Sequence, residues 1–482
     1  MSIRHNLFYS FGSSYAKLGL QFIASLFIAR LLTPREFGVF SIAMGLIFLA
    51  DTLRNFGIAG YIIQEKELTP ARLNTAAGLN VLTSVFMAIV VAALAGPAAA
   101  FYGEEGVRDV MWLLAVNFLL LPVGATSMSY MRRELMFKQV SIIQFANAAT
   151  GAVSTVILAY AGFSYMSLAL GNVLATLTNV VLIWRMKPAH LKVRPSLAET
   201  RRVLGFGSLS TLTSLTNEAG MRLPGLLLGR LINLESVGLF DRAGSVIELF
   251  RRLVLNGLVQ VTMPHFAAQV RNHQNVSASF LLAVTHLTAV GWPFFLVLAL
   301  AAPWLIPVLY GDQWHDAVPL AQALCLGELA LVPFYLQGQV LIAKGRMGVL
   351  TWLTLFGVFV RIPVLILLAP HGLNAAVAGY AATSLALALV SLVLTLRVVG
   401  CRAMDFWRAM APSLAVSLIA VLVAAPAAWA LQGVTVHDGV RLLGLLVAAG
   451  SGWLLGLWFT KHPLQVELLN VMRTVMNKLG RS

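Results

Sequence analysis

The sequence has few charged residues and almost no cysteine, and both shortages limit what the protein can be. Asp, Glu, Lys and Arg make up 11% of the 482 residues, whereas hydrophobic residues make up 59%. This composition excludes the soluble globular classes. The two cysteines, Cys325 and Cys401, lie far apart and form no CxxC motif, so they indicate neither a disulfide nor a metal site.

Signals for catalysis and for soluble domains are also missing. No metal-ligand spacing, nucleophile motif or phosphate-binding glycine loop stands out, so we expect no metal, no catalytic residue and no enzyme activity. The connections between apolar runs are short, whereas a polysaccharide polymerase or ligase generally needs a sizeable outer loop to hold its acceptor. The N-terminal run is interrupted by polar residues and lacks a clear cleavage site, so it predicts a first membrane helix and not a signal peptide.

What the sequence does contain is a series of apolar runs of about 20 residues, the length that crosses a bilayer as a helix. The runs are continuous, which favours helices over the short alternating segments of a β-barrel. We therefore predict an all-α, polytopic membrane protein. The fourteen predicted spans are roughly 8–32, 37–63, 73–100, 108–131, 138–160, 163–185, 204–232, 237–262, 277–309, 316–342, 347–369, 373–397, 407–431 and 439–460.

The distribution of basic residues predicts the orientation of the chain. If the N-terminus is placed in the cytoplasm, most Lys and Arg residues fall in cytoplasmic segments, and the outer segments are acidic. Both termini are then cytoplasmic. The net charge of +15 is explained by these loops, so we expect no nucleic-acid partner.

An internal repeat predicts two similar blocks of helices. ARLLTPREFGVFSIA (29–43) resembles GRLINLESVGLFDRA (229–243), and Tyr102-Gly103 resembles Tyr310-Gly311. Six helices separate the matching segments, so the blocks share one orientation and their pseudo-symmetry axis runs along the membrane normal. The predicted parts are an N-terminal lobe of helices 1–6 (1–186), a basic cytoplasmic linker (187–203), a C-terminal lobe of helices 7–12 (204–400), helices 13 and 14 (401–462), and an amphipathic cytoplasmic tail (463–482). We expect the linker to lie on the membrane surface as a helix.

One predicted span, around Leu239 to Gln260, carries five charged residues. A charge at the bilayer centre costs roughly 2.5–3.5 kcal/mol, so five cost on the order of 12 kcal/mol, which the apolar residues here do not offset. The charges must therefore face protein or water. Two interpretations remain open: a salt-bridge ladder that joins helices, or the wall of an aqueous path for an anionic substrate. The residues are Asp241, Arg242, Glu248, Arg251 and Arg252.

Four segments in the same order resemble the polysaccharide transporters of the multidrug/oligosaccharidyl-lipid/polysaccharide (MOP) exporter superfamily, and most of all the Wzx- and WzxC-type flippases. These segments are IARLLTPREFGVFSIA, GIAGYIIQEKELTPARLNTAAGLNV, GRLINLESVGLFDRA and LAAPWLIPVLYGDQWHDAVPLAQALCLG. The resemblance implies fourteen helices in two lobes and a location in the bacterial inner membrane. It also implies movement of undecaprenyl-pyrophosphate-linked sugar repeats to the outer leaflet, by alternating access through a cationic central cavity, for exopolysaccharide, capsule or O-antigen synthesis.

The partners expected from this resemblance are the lipid-linked oligosaccharide, membrane lipids, and a polysaccharide polymerase with its chain-length machinery. No cofactor is expected, and coupling to H⁺ or Na⁺ is left open. Lipid II flippases and MATE drug exporters share the architecture, so they remain alternatives. A polymerase or ligase is the alternative from a different class.

Cationic residues within the spans are the predicted contacts of the substrate head group, because a guanidinium binds phosphate oxygens bidentately and stays charged. They are Lys17, Arg54, Arg222, Arg242, Arg251, Arg252 and Arg361. The candidates for coupling or ion pairing are Asp51, Glu218, Asp241, Glu248 and Glu328. For each arginine the alternative is a structural role with a partner.

Particular spacings support that structural alternative. Arg54 with Asp51, and Arg222 with Glu218, are spaced as self-neutralised pairs along a helix. Arg242 is close enough to a helix end to reach the membrane interface. We expect Glu248 to pair with Arg251, which would tie proton binding to a lobe movement. Amide side chains within the spans, such as Asn117 and Asn147, serve either to bind sugars or to join helices.

Overall fold

The computed structural model describes residues 3–191, 193–432 and 437–479. In these ranges the chain forms helices joined by short turns and contains no β-strand, which confirms the all-α class. The helices in the first half are α1 (Ile3–Leu31), α2 (Pro34–Asn55), α3 (Ile58–Gln64), α4 (Pro70–Tyr102), α5 (Glu105–Arg133), α6 (Phe137–Tyr160), α7 (Met166–Met186) and α8 (Thr200–Leu231). Those that follow are α9 (Leu234–Phe250), α10 (Asn256–Arg271), α11 (Ser277–Tyr310), α12 (Ala317–Leu331), α13 (Gln337–Ala343), α14 (Met347–Leu368), α15 (Leu373–Val399), α16 (Ala403–Gln432), α17 (Asp438–Phe459) and α18 (Pro463–Leu479).

Among the described residues, eleven helical segments are long and apolar enough to cross a membrane. They are α2, α4, α5, α6, α7, α11, α12 with α13, α14, α15, α16 and α17. Each coincides with a predicted span, so the chain is a multi-pass membrane protein. Helices α1 and α8 and the stretch from α9 to α10 are also long but are not among the eleven, so the total of fourteen spans stays a prediction.

The two repeat segments begin their helices in the same way. Thr33 caps α2, since its hydroxyl oxygen accepts a hydrogen bond from the backbone N–H of Glu36 at 3.3 Å. At the matching position before α9, the Asn233 side chain accepts one from the backbone N–H of Ser236 at 2.8 Å. Side-chain caps of this kind satisfy donors that the first helical turn leaves unpaired. The repeat therefore encodes two equivalent helix starts.

A second pair of matching residues ends two long helices. Tyr102 is the last residue of α4 and Tyr310 the last residue of α11. Each is followed by a glycine with positive φ, +68° at Gly103 and +102° at Gly311. Glycine adopts this conformation without the steric cost that a Cβ atom brings. The predicted spans 73–100 and 277–309 thus end within two residues of the observed helix ends.

Three predicted spans are interrupted, which the sequence interpretation missed. The span 37–63 divides into α2 and α3, because Phe56 and Gly57 both take left-handed conformations. The span 237–262 contains a π-helical turn, Arg251–Leu255, and its helix continues to Arg271. The span 316–342 contains a 3₁₀ turn, Val332–Phe334. Such turns within helices often mark functional sites.

The linker after α7 is not a helix, so that prediction is wrong. Its described residues, 187–191 and 193–199, run over the first turns of α4. The backbone N–H of Ser196 donates to the carbonyl of Asn74 at 3.0 Å, and that of Arg194 donates to the Asn74 side chain at 2.8 Å. The prolines at positions 188 and 195 remove backbone donors and disfavour helix in the residues before them.

By its internal contacts the chain divides into two compact units, Met1–Gly238 and Leu239–Ser482. In the first unit, Ile58, Tyr61 and Ile62 of α3 form a buried cluster with Leu79 of α4 and with Leu191 of the linker. In the second unit, α11, α16 and α17 share a buried cluster that contains Trp304 and Ala424. The tail forms helix α18. The lobe boundaries predicted from the sequence stay a prediction.

Candidate functional site

In the first unit, Arg54 lies at the centre of a buried network. Its side chain donates to Asp51 at 2.8 Å, to Asn80 on α4 at 3.0 Å and to Asn55 at 3.1 Å. Asn55 also donates to Asp51 at 3.1 Å, and Arg54 is only 4% exposed. All three guanidinium nitrogens therefore donate hydrogen bonds, and the bond to Asn80 joins α2 to α4. This geometry supports the structural interpretation of Arg54 and Asp51.

Arg222 and Glu218 form a second ion pair in this unit, one turn apart on α8. The Arg222 Nε atom donates to Glu218 at 2.7 Å, and the two side chains are 35% and 23% exposed. The guanidinium carbon also lies 4.2 Å from the centre of the Phe48 ring on α2. Arg222 thus binds a carboxylate and an aromatic face while part of it stays accessible. Lys17, on α1, is half-buried and makes no hydrogen bond or ion pair with the described residues.

In the second unit, Arg242 is enclosed by aromatic rings. Its guanidinium carbon lies 4.5 Å from the ring centre of Tyr310 and 4.8 Å from that of Trp314. Arg242 is 6% exposed, so its side chain packs inside the unit and does not extend to the membrane interface. A cation over an aromatic face is stabilised by the ring quadrupole. Its neighbour Asp241 is exposed.

Arg251, Tyr335 and Glu328 form a charged cluster where two of the interrupted helices meet. Arg251 is the first residue of the π-helical turn, and Tyr335 directly follows the 3₁₀ turn Val332–Phe334. The guanidinium carbon of Arg251 lies 5.8 Å from the Tyr335 ring centre and within electrostatic reach of Glu328. The Tyr335 hydroxyl donates a hydrogen bond to the Glu328 carboxylate. The neighbouring Phe250 packs against the Tyr335 ring with 6.2 Å between ring centres.

Glu248 and Arg252 lie beside this cluster. The Arg252 Nε atom lies 3.4 Å from a Glu248 carboxylate oxygen, and the two side chains are 47% and 41% exposed. The ion pair of Glu248 is therefore with Arg252, one turn further along, while Arg251 is near enough to Glu248 for an electrostatic interaction. Both arginines are exposed residues of a helical stretch within a membrane protein. Arg251 and Arg252 are thus exposed cations near the middle of the long helical stretch from Leu234 to Arg271.

Arg361 forms a third cationic site in the second unit. One guanidinium nitrogen donates to the Ser384 hydroxyl at 3.3 Å, and the guanidinium carbon lies 4.8 Å from the Tyr380 ring centre. The Arg361 Nε atom is buried without a hydrogen-bond partner among the described residues. An unpaired buried donor costs free energy, so this arginine has capacity for one further acceptor.

The partners of these arginines were the part that sequence reasoning missed. Aromatic rings contact Arg222, Arg242, Arg251 and Arg361, and none of these rings lies within one helical turn of its arginine. No local spacing rule connects residues so far apart in the chain. The amide side chains join helices, as one of the two interpretations expected. Asn117 donates to Asn172 at 2.8 Å, and Asn147 donates to the Ala175 carbonyl at 2.9 Å.

Among the described residues, no group of three or more His, Cys, Asp or Glu side chains is arranged to hold a metal ion.

A family model of polysaccharide biosynthesis proteins matches residues 27–319 of this chain. The chain belongs to this polysaccharide biosynthesis protein family. Among its relatives is the lipopolysaccharide biosynthesis protein WzxC of Escherichia coli K12, 25% identical over 73% of this chain and 72% of that protein. The succinoglycan biosynthesis transport protein ExoT of Rhizobium meliloti is 24% identical over 73% of this chain and 71% of that protein.

Solved structures extend the comparison to the fold. A lipid II flippase MurJ in an inward closed conformation matches with a TM-score of 0.71, 11% identity and coverage of 94% of this chain and 99% of that one. An inward-facing MATE family multidrug transporter of the MOP superfamily matches with a TM-score of 0.56, 14% identity and coverage of 83% and 95%. The chain therefore has the fold of these two transporters.

Proposed function

We propose that this protein is a flippase that moves polyprenyl-pyrophosphate-linked oligosaccharide repeats from the cytoplasmic to the outer leaflet. The observation that carries the proposal is the pair of exposed arginine residues, Arg251 and Arg252, near the middle of the helical stretch Leu234–Arg271. Accessible cations at that depth are costly unless they serve an anionic ligand or line water. Membership of the polysaccharide biosynthesis family and similarity to proteins named for transport support a lipid-linked oligosaccharide as the ligand.

The cationic residues have different parts in this proposal. Arg251 and Arg252 bind the pyrophosphate head group, and Arg222 and Arg361 offer further accessible or unsatisfied donors. Arg54 and Arg242 are buried and hold helices together, so their contribution is to the shape of the path. Lys17 supplies a further positive charge on α1.

Coupling is assigned to the cluster around Glu328. Its carboxylate accepts a hydrogen bond from the Tyr335 hydroxyl and lies near Arg251. Protonation of Glu328 would therefore weaken its electrostatic attraction to Arg251. Glu248 has the same relation to Arg252. We propose proton coupling through these two carboxylates, and Na⁺ coupling is the alternative. Glu218 is engaged with Arg222 in the same manner in the first unit.

The cellular setting follows from the charge distribution and the proposed substrate. We place the protein in the bacterial inner membrane with both termini in the cytoplasm, fourteen spans, and a path that opens to each side in turn. The polymerase and chain-length proteins that use the flipped repeat are the expected partners. The protein performs transport and no covalent chemistry on its substrate.

A deletion strain tests the proposal. The membrane lipids are extracted, and both the amount and the sidedness of polyprenyl-linked oligosaccharide are measured. A flippase predicts that complete single repeats accumulate on the cytoplasmic leaflet while surface glycan disappears. If single repeats still reach the surface but long chains do not, the protein acts in polymerisation. If neither pool changes, the carbohydrate substrate is wrong, and lipid II and drug export are the next substrates to assay.

A further inference from the structure

An apolar groove lies between α2 and α4 in the unit Met1–Gly238, with a volume of ≈ 560 Å³. Leu46, Leu49 and Leu53 of α2 form one wall, and Leu94 and Ala98 of α4 are part of the other. The lining is almost wholly hydrocarbon. Because both helices have membrane length, a ligand of this groove is an apolar chain that lies within the bilayer.

One end of the groove is formed by aromatic residues. Phe101 and Tyr102, at the C-terminal end of α4, line it there. The Tyr102 hydroxyl donates to the backbone carbonyl of Leu226 at 3.3 Å, which fixes α8 beside this end. Helix α8 is therefore in contact with the end of the groove that Phe101 and Tyr102 line.

Two arginines of α8 lie over aromatic rings, and one of these rings, Phe101, lines the groove. Arg222 lies over Phe48, the neighbour of the lining residue Leu49, and Arg230 lies over Phe101 with its guanidinium carbon 5.0 Å from the ring centre. Arg222 is neutralised by Glu218, whereas Arg230 is exposed and forms no ion pair with the described residues. An unpaired guanidinium at the end of a hydrocarbon groove is complementary to a phosphate that is attached to an apolar chain.

We propose that this groove binds the isoprenoid chain of a polyprenyl phosphate lipid and that Arg230 contacts the phosphate. The inference rests on the proposed function, because that function names the lipid that the protein must accommodate. It goes further by assigning the isoprenoid chain to a groove formed by α2 and α4, residues of which the proposed function made no use. In the groove, the long apolar part of the substrate packs against α2 and α4 instead of against bulk lipid.

Binding of defined lipids to the purified full chain tests this assignment. The probes are undecaprenyl phosphate, undecaprenol and phosphatidylglycerol, and binding is measured by native mass spectrometry. We expect undecaprenyl phosphate to bind at least about tenfold more tightly than undecaprenol, the loss that one charge-assisted hydrogen bond brings. Phosphatidylglycerol should not displace it at equal concentration. Equal binding of all three lipids would identify an ordinary lipid contact and overturn the proposal.

Three variants locate the binding. Ala98→Phe fills the groove and Arg230→Gln removes the cation, so each should weaken undecaprenyl phosphate binding at least about tenfold. Ala93→Phe makes the same change at an exposed position of α4 outside the groove and should bind like the unaltered chain. If Ala98→Phe lowers the melting temperature strongly, Arg230→Gln decides. Unchanged binding by Arg230→Gln would contradict the assignment.

The deletion strain separates a failure of the groove from a failure of the proposed function. If repeats accumulate on the cytoplasmic leaflet but the three variants bind alike, the flippase function stands and the groove is wrong. If the variants alter lipid binding but the lipid pools of the deletion strain do not change, the groove is a polyprenyl site in a protein of another function.

Discussion

Gly38 and Gly238 have reciprocal positions in one helix crossing, because each faces the backbone carbonyl of the residue four positions before the other. A Cβ atom at Gly38 would lie 1.8 Å from the carbonyl oxygen of Leu234, and one at Gly238 would lie 2.0 Å from that of Pro34. These are matching positions of the repeat, so the contact is made twice. Real Cβ atoms do not approach other atoms so closely, so both positions require glycine.

Gly38→Ala and Gly238→Ala should therefore each destabilise the protein. The added methyl group forces the backbones of α2 and α9 apart, and overpacking of this kind costs about 1–3 kcal/mol. The matched control is Gly96→Ala on α4, where an added Cβ has no neighbour within 4 Å. Thermal unfolding of the purified protein measures the effect. If both variants melted at the same temperature as the control, the close contact between α2 and α9 would be contradicted.

Arg54→Gln should affect stability more than Arg222→Gln does. Arg54 is 4% exposed and has three side-chain partners, and the loss of hydrogen bonds to a charged group costs about 1.5–3 kcal/mol. The Arg222 side chain is 35% exposed, so water replaces part of the hydrogen bonding that the substitution removes. Unfolding curves of both variants give the comparison. An equal loss of stability in the two variants would contradict the distinction between Arg54 as a structural arginine and Arg222 as an accessible one.

Tyr335→Phe should slow transport while the protein still folds. The change removes only the hydroxyl that donates to Glu328, and the ring that packs on Phe250 remains. Transport per folded molecule should fall about tenfold, a free-energy change of about 1.4 kcal/mol. Tyr160→Phe is the matched control, because Tyr160 is 84% exposed. A normal rate for Tyr335→Phe would show that the Glu328 cluster has no part in the transport cycle.

His462, between α17 and α18, should make stability depend on pH. Burial, together with the nearby His286, lowers the pKa of His462 from 6.5 to about 4. Its Nδ1 atom accepts a hydrogen bond from the backbone N–H of Leu464 at 3.1 Å, so the neutral ring is the form that fits. As the pH falls, His462 is therefore protonated at a higher pH in the unfolded chain than in the folded protein. Stability is therefore complete above about pH 6.5 and falls towards pH 4, by up to about 3 kcal/mol.

Unfolding of His462→Gln between pH 4 and pH 7 checks this dependence. The variant has no imidazole at this position, so its stability should vary less with pH than that of the unaltered protein. His371→Gln, at an exposed position, serves as the control and should keep the full dependence. Parallel curves for His462→Gln and the unaltered protein would contradict the assignment.

Most of the helices could be predicted from the sequence, because apolar runs of membrane length and their end signals are local. The Tyr-Gly dipeptides at 102–103 and 310–311 are examples, since a glycine with positive φ ends each helix. The linker differs from its predicted helix because its prolines favour the extended path over α4, whereas its basic composition does not determine the backbone conformation.

The candidate site could be predicted only in its charged residues. Their number within apolar helices was a clear signal, because such charges are costly in a membrane. Their partners were not predictable, as Arg242 and Trp314 show, since only folding brings a ring so distant in the chain over the guanidinium. The π-helical turn at Arg251 also leaves no pattern in the sequence, yet it helps to place Arg251 beside Tyr335.

The most direct test of the central claim is transport by the purified protein in lipid vesicles. A polyprenyl-pyrophosphate-linked oligosaccharide is placed in one leaflet, and its arrival in the other is followed with an enzyme that modifies only exposed sugars. We predict movement by the unaltered chain and by Arg271→Gln, at the exposed end of α10, and movement at least about tenfold slower by the double variant Arg251→Gln/Arg252→Gln. No movement above protein-free vesicles, or an equal rate for the double variant, would contradict the account.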